Sequence, residues 1–167
     1  MLVRKLNSMK RKNLVKIHVI ATIIAAITIA SFFIFSLAAE INGSETAIRK
    51  VKEVILFSLP VLLIAMPALG ATGNMLAGKS QNPIILAKKR RMKIVFVNGL
   101  TLITLACFLY YRSHYQTIDG IFLAAQLVEF TLGLINLTLI GLNIKSGFQL
   151  SGRLKKNVFD SRFPPIS

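Results

Sequence analysis

Acidic residues, cysteine and histidine are scarce in this sequence of 167 residues, and tryptophan is absent. Six Asp and Glu stand against 21 Lys and Arg, so the formal net charge is +15. The single cysteine, Cys107, excludes an internal disulfide. The sequence offers no Ser-His-Asp set, no carboxylate pair and no metal-ligand spacing, so neither catalytic residues nor a metal site can be assigned.

Charged residues of either sign make up only 16% of the chain, whereas a soluble domain carries about a quarter. Hydrophobic residues make up 54%, and the mean hydropathy is +0.64. The charges stand in blocks between long apolar runs, which is typical of an integral membrane protein. Nucleic-acid binding is not predicted, because the basic runs lack interleaved aromatic residues and a fold to present them.

Four apolar stretches are long enough to cross a bilayer as helices, at about 17–39, 54–72, 94–111 and 118–144. We predict an all-α membrane protein whose four transmembrane helices form an up-down bundle over residues 17–145. The basic segments 1–16 and 146–167 are then tails. The apolar core of the first span exceeds that of a usual signal peptide, which favours its retention, although Ser36-Leu37-Ala38 resembles a cleavage site.

Lys and Arg are much more numerous in the segments on one side of the predicted bundle than in those on the other. Six in the N-terminal tail, six in the second loop and five from Lys145 onward make seventeen on one side, against four on the other. The positive-inside rule therefore predicts that both termini are cytoplasmic. A bacterial inner membrane is the expected location.

The segment Gly73–Ser80, GNMLAGKS, matches the phosphate-loop pattern G-x-x-x-x-G-K-S. A phosphate loop needs a preceding strand and a helix that begins at its Lys-Ser. Here Pro60 and Pro67 precede the segment inside an apolar span, and Pro83 follows it. We interpret the match as chance and predict no nucleotide site.

The fourth span carries polar residues at helical spacing. Its members lie within an arc of about 100°, and the opposite face is apolar. Asn98 and Thr101 of the third span fall at a similar depth, so amide hydrogen bonds between the two antiparallel helices are expected. We call this set the polar seam: Gln126, Glu129, Asn136 and Asn143 with Asn98 and Thr101.

Glu129 is the only acid in the interior of the four predicted spans, since Asp119 lies at the very start of the fourth. One interpretation is a carboxylate that binds a proton or a cation; the other is a neutral acid that joins helices through hydrogen bonds. No lysine or arginine is expected inside a span to pair with it.

Haem b is the one cofactor that the sequence leaves open, and none is predicted. His18 and His114 lie at opposite ends of the spans, about 30 Å apart, and so cannot both ligate one haem within a chain. An intersubunit site or a Met66 or Met92 ligand stays open. His18 is expected to reach toward the head groups.

The second loop forms a predicted basic patch for anionic lipid or for an acidic partner protein. Its members are Lys88, Lys89, Arg90, Arg91 and Lys93.

The runs GATGNMLAGKSQNPIILAKKRRMKIVFVNG and QLVEFTLGLINLTLIGLN resemble, in general layout, small bacterial four-span membrane proteins of unassigned activity. The resemblance covers roughly Pro60 to Gly147 and implies no chemistry.

Three functions are compatible with these features. The first hypothesis is a non-enzymatic accessory subunit that packs against membrane partners or copies of itself through the polar seam. The second is a small proton- or cation-coupled transporter or channel that uses Glu129. The third is a haem-binding redox subunit.

Overall fold

Four long helices make up the described part of the chain. The computed structural model describes residues 2–152, and side chains from residue 10 onward. Its helices are α1 (Leu2–Asn42), α2 (Glu45–Ala77), α3 (Pro83–Tyr115) and α4 (Gly120–Leu150). Each helix packs antiparallel on the next, and α1 also packs on α4. Residues 2–152 contain no strand. This confirms the predicted all-α four-helix bundle.

The turns between helices are short and carry strong capping residues. Ser44 is the N-cap of α2 and follows Gly43, whose φ is +69°. The side chain of Asn82 accepts a hydrogen bond from Ile84 N at 2.9 Å at the start of α3. Asp119 accepts from Ile121 N and Phe122 N, both at 3.1 Å, at the start of α4. Side-chain caps satisfy the amides that the first helical turn leaves unpaired, so they define where each helix begins.

The helices are longer than the apolar stretches that predicted them. The 33 residues of α2 span about 50 Å, whereas a bilayer core is about 30 Å thick. In particular, α2 begins at Glu45 and not near Val54, so it includes residues predicted to lie in the first loop. We call the end of the bundle with the α1–α2 and α3–α4 turns the hairpin end. The opposite end, with the α2–α3 loop, is the basic end.

Buried residues recur on α2 and α4 at alternating spacings of three and four. On α2 the pattern begins Ile48, Lys52, Ile55, Leu59, Leu62, and on α4 it runs Phe122, Gln126, Gly133, Asn136, Ile140, Asn143. This heptad spacing is typical of left-handed antiparallel bundles.

The polarity of the bundle is inverted relative to a soluble protein. Gln126 and Asn136 are fully buried, whereas Phe57 and Ile64 are 73% and 74% exposed. Many other large aliphatic side chains lie on the outer surface of every helix. All four helices are long and apolar enough to cross a membrane. An apolar surface on this scale indicates an integral membrane protein.

Candidate functional site

A buried ion pair joins α2 and α4 diagonally across the bundle. Lys52 Nζ donates to Glu129 Oε2 at 2.6 Å and to Ser36 Oγ of α1 at 3.3 Å. The Lys52 side chain is only 1% exposed, and that of Glu129 is 13% exposed. Because α2 and α4 are not neighbours in the ring of helices, this pair bridges its interior. The interaction places two opposite charges in the hairpin half of the bundle core.

Further polar groups surround the ion pair. Gln126 Nε2 donates to Glu129 Oε2 at 2.8 Å. Glu40 lies close enough on α1 for its charge to act on Lys52. Gln126 Oε1 and Glu40 Oε1 are buried and have no hydrogen-bond partner within the described part of the chain. The site therefore has two unused acceptor oxygens beside the ion pair.

The sequence-based expectation that no lysine could pair with Glu129 was wrong. Lys52 precedes the apolar stretch at 54–72, so hydropathy places it in the first loop. However, α2 begins at Glu45, two helical turns before Lys52. The residues four before and three after Lys52 are Ile48 and Ile55, and both are buried. This helical spacing is the signal that places Lys52 on the inner face of α2.

An apolar cavity adjoins Glu129 on the side toward the bundle centre. Its volume is about 60 Å³, space for about four water-sized molecules at roughly 15 Å³ each. Among its lining residues, only Glu129 and Asn136 carry polar side chains. Phe33 of α1 and Phe130 of α4 meet edge to face in its wall, with ring centroids 5.4 Å apart.

Two apolar layers enclose the ion pair and the cavity. Toward the hairpin end, the pair is covered by a cluster that all four helices form: Ala39, Ile48, Leu109 and Phe122. Toward the basic end, a second cluster fills the bundle: Ala25, Ile29, Leu62, Ala65, Val95 and Ile140. The charges are therefore covered along the bundle axis, whereas Glu129 keeps 13% of its side chain exposed at the side of the bundle.

Of the four other predicted members of the polar seam, three lie on its buried face and one does not. Asn98 Nδ2 donates to Asn136 Oδ1 at 3.0 Å and to Leu132 O at 2.9 Å, which is the amide pairing expected of antiparallel helices. Asn143 is buried on the same face of α4. Thr101 does not belong to the seam, because it is exposed and its hydroxyl donates to Val97 O of its own helix.

The five residues of the predicted basic patch separate into two groups. Arg90 and Lys93 are exposed, and Lys89 Nζ donates to Gly78 O at the end of α2. Arg91 instead donates to Ser146 Oγ on α4, and Lys88 is turned toward Gly147 of the same helix. The patch is therefore not one uniform surface.

The phosphate-loop match lies where α2 ends. Residues 73–77 form its last helical turn, and Gly78 follows with φ +50°. Phosphate loops place the anion at the N-terminus of a helix, where free amides point toward it. A helix C-terminus presents carbonyl oxygens instead, which repel phosphate.

The two histidines lie at opposite ends of the bundle. His18 is 8% exposed and does not reach toward the head groups as predicted; its Nδ1 lies 3.0 Å from Thr72 Oγ1. The Thr72 hydroxyl already donates to Ala68 O at 2.6 Å, so Nδ1 of His18 is the donor. His114 stacks on Tyr110 at the hairpin end. Met66 packs at Gly99 and Met92 at Gly73.

Within the described residues, no three His, Cys, Asp or Glu converge on a common metal position. The haem hypothesis depends on an intersubunit or methionine ligand and stays a prediction.

Comparisons of the chain with protein-family models, with curated proteins and with solved structures give no match.

Proposed function

We propose that this protein is a membrane carrier that moves protons, with the Lys52–Glu129 pair as the exchangeable proton site. We further propose a bacterial inner-membrane location with the basic end in the cytoplasm. The excess of Lys and Arg at that end supports this orientation. The ion pair would then lie in the outer half of the membrane.

The observation that carries the proposal is the ion pair at 2.6 Å, because ionisable residues inside a membrane are expensive to bury. Asparagine pairs and close apolar packing are sufficient to hold helices together in lipid. A lysine that is 1% exposed is not needed for that purpose. Such residues usually mark pathways for ions or protons.

A proton fits this site better than a metal cation does. The Lys52 ammonium already occupies Glu129 Oε2, and a metal ion would have to displace it. A proton needs no displacement: the Glu129 carboxylate can take up a proton from one side while Lys52 stays an ammonium, and release of that proton to the other side restores the ion pair. The unpaired oxygens of Glu40 and Gln126 can accept a second donor during the exchange.

The enclosed position of the site favours a carrier over a channel. The two apolar layers leave no continuous polar route along the bundle axis. Access to the cavity along the bundle axis then requires helix movement. The contact between Phe33 and Phe130, where α1 meets α4, is the natural place for it because their rings form the cavity wall.

The test is proton flux into liposomes loaded with a pH-sensitive dye and driven by a pH gradient or a potassium diffusion potential. We expect the wild type to raise flux above empty liposomes, and Glu129→Gln to abolish the increase. Glu129→Gln keeps an acceptor oxygen for Lys52. Circular dichroism and gel filtration establish that the variant is folded.

Glu53→Gln is the matched control, because Glu53 lies on α2 near the hairpin end and pairs only with the exposed Lys50. It should leave flux unchanged. Equal flux through the folded Glu129→Gln variant, or wild-type flux no greater than that of empty liposomes under both gradients, would refute the proposal.

The accessory-subunit hypothesis stays a prediction, but it requires a different surface. The seam residues Gln126 and Asn136 are fully buried within the chain. A partner subunit would therefore have to bind the apolar outer faces of the helices. Purification in mild detergent tests it: co-purification of a stoichiometric partner supports the hypothesis, and isolation as a monomer contradicts it.

A further inference from the structure

Two cations at the basic end are directed into the bundle rather than toward its surroundings. Lys88 and Arg91 are both half-buried, and they continue the spacing of the inner face of α3 through Val95 and Asn98. Their neighbours Arg90 and Lys93 are exposed. The α3 sequence thus divides its basic run between an inner pair and an outer group.

The inner pair converges on one place in α4. Arg91 Nη1 donates to Ser146 Oγ at 3.0 Å and to Leu142 O at 3.3 Å. Lys88 Nζ lies within 3.9 Å of the position that a side chain at Gly147 would occupy. Two positive charges therefore lie beside the adjacent residues Ser146 and Gly147. Two half-buried cations beside one stretch of α4 attract an anion.

The described residues provide no such anion. All five acidic residues among them lie in the hairpin half of the bundle: Glu40, Glu45, Glu53, Asp119 and Glu129. The charge of Lys88 acts on His18 of α1. A neutral His18 can offer no compensating negative charge. The described part of the chain therefore leaves these charges without a counter-ion, and an anion from another molecule can supply one.

We propose that Lys88 and Arg91, with the hydroxyl of Ser146, bind a phosphate group at the basic end of the bundle. Phosphate suits this donor set, because a guanidinium, an ammonium and a hydroxyl can each donate to a different oxygen.

The depth of the site matches a lipid phosphate. Lys88 and Arg112 lie near the two ends of α3, and 24 residues of helix separate them by about 36 Å. This distance equals a bilayer core of about 30 Å plus a few ångströms of head group at each side. Inorganic phosphate shares the same chemistry, so the experiment has to distinguish the two sources.

The experiment compares thermal unfolding, followed by circular dichroism, in detergent micelles that contain phosphatidylglycerol or phosphatidylcholine at equal mole fraction. We expect phosphatidylglycerol to raise the midpoint of the wild type by several degrees more than phosphatidylcholine does. Lys88→Met should lose at least half of this difference. The exposed Lys93→Met is the matched control and should keep it, and Lys88→Arg should keep it as well.

A second arm adds inorganic phosphate to neutral micelles without charged lipid. If inorganic phosphate stabilises the wild type and Lys88→Met removes this effect, free phosphate is sufficient to occupy the site. If inorganic phosphate gives no stabilisation, the lipid head group is the source of the phosphate. The proposal is overturned if Lys93→Met lowers the difference as much as Lys88→Met does, because the effect is then diffuse surface charge. It is equally overturned if the two lipids stabilise the wild type equally.

Discussion

Removal of one charge from the Lys52–Glu129 pair should destabilise the bundle far more than removal of both. At 2.6 Å and an effective dielectric constant of about 20, the attraction between the charges is about 6 kcal/mol. Part of this energy offsets the cost of burying the ions. Breaking a buried pair by deleting one partner typically costs about 3–5 kcal/mol, because the other charge stays buried without compensation. We expect this range for Lys52→Met and for Glu129→Leu.

The double variant Lys52→Met/Glu129→Leu fills a similar volume and leaves no charge unpaired. It should unfold within about 1–2 kcal/mol of the wild type, since apolar replacement of a whole buried pair is often neutral or stabilising. The assay is reversible unfolding in mixed micelles with an increasing fraction of denaturing detergent, applied to all four proteins. A coupling energy of at least about 3 kcal/mol is expected, well above the roughly 0.6 kcal/mol average of interhelical hydrogen bonds. Additive single effects, or single effects below about 1 kcal/mol, would show that the charges are not paired in the folded protein.

Three further predictions concern other parts of the bundle. Asn98→Leu should lower the free energy of unfolding by about 1–2 kcal/mol in the same assay, because it leaves the buried Asn136 Oδ1 without its donor, whereas the exposed Thr101→Val should have almost no effect. Hydrogen bonds from the Phe122 and Ile121 amides and the ion pair with Arg112 hold the pKa of the exposed Asp119 carboxyl below its usual value of 3.8. Because the pKa of Asp119 is lower in the folded than in the unfolded protein, its carboxylate stabilises the fold at every pH above the unfolded-state pKa of 3.8. This stabilisation is lost as the pH falls through the folded-state pKa, so the free energy of unfolding should decrease below about pH 4. Asp119→Asn should flatten that decrease in unfolding curves recorded from pH 7 to pH 3, and an identical acid dependence in the variant would contradict this assignment. The purified protein should show no Soret absorption band, and a band would support the haem hypothesis.

The helix count and the fold class follow from the sequence because only helices and closed barrels satisfy the backbone inside lipid, and the long apolar runs show no alternation typical of barrel strands. The ion pair does not follow from the same criterion. Hydropathy locates the apolar stretch that begins near Val54, but the capping residue Ser44 decides where α2 begins. Lys52 lies between these two positions, so apolar length assigns it to the loop and capping assigns it to the helix.

Which side chains contact each other was harder to predict than where the helices lie. The facing residues Asn98 and Asn136 could be matched because antiparallel helices fix their relative depth. The contact between Lys52 and Glu129 crosses the bundle between helices that are not adjacent, so it depends on the packing of all four. The same limit applies to the basic run: sequence gives its charge, whereas the rotation of α3 decides that Arg91 faces α4 and Arg90 does not.

The diagonal position of the ion pair also has a consequence for biosynthesis. A ribosome completes α2, with Lys52, well before it makes α4 and Glu129. During this interval, the growing chain can offer the ammonium only the groups of the preceding helix, Ser36 and Glu40. The first hairpin is therefore inserted with an incompletely neutralised cation, and the arrival of the last helix completes its compensation. A chain truncated before α4 should accordingly be recognised and degraded as an unfinished product.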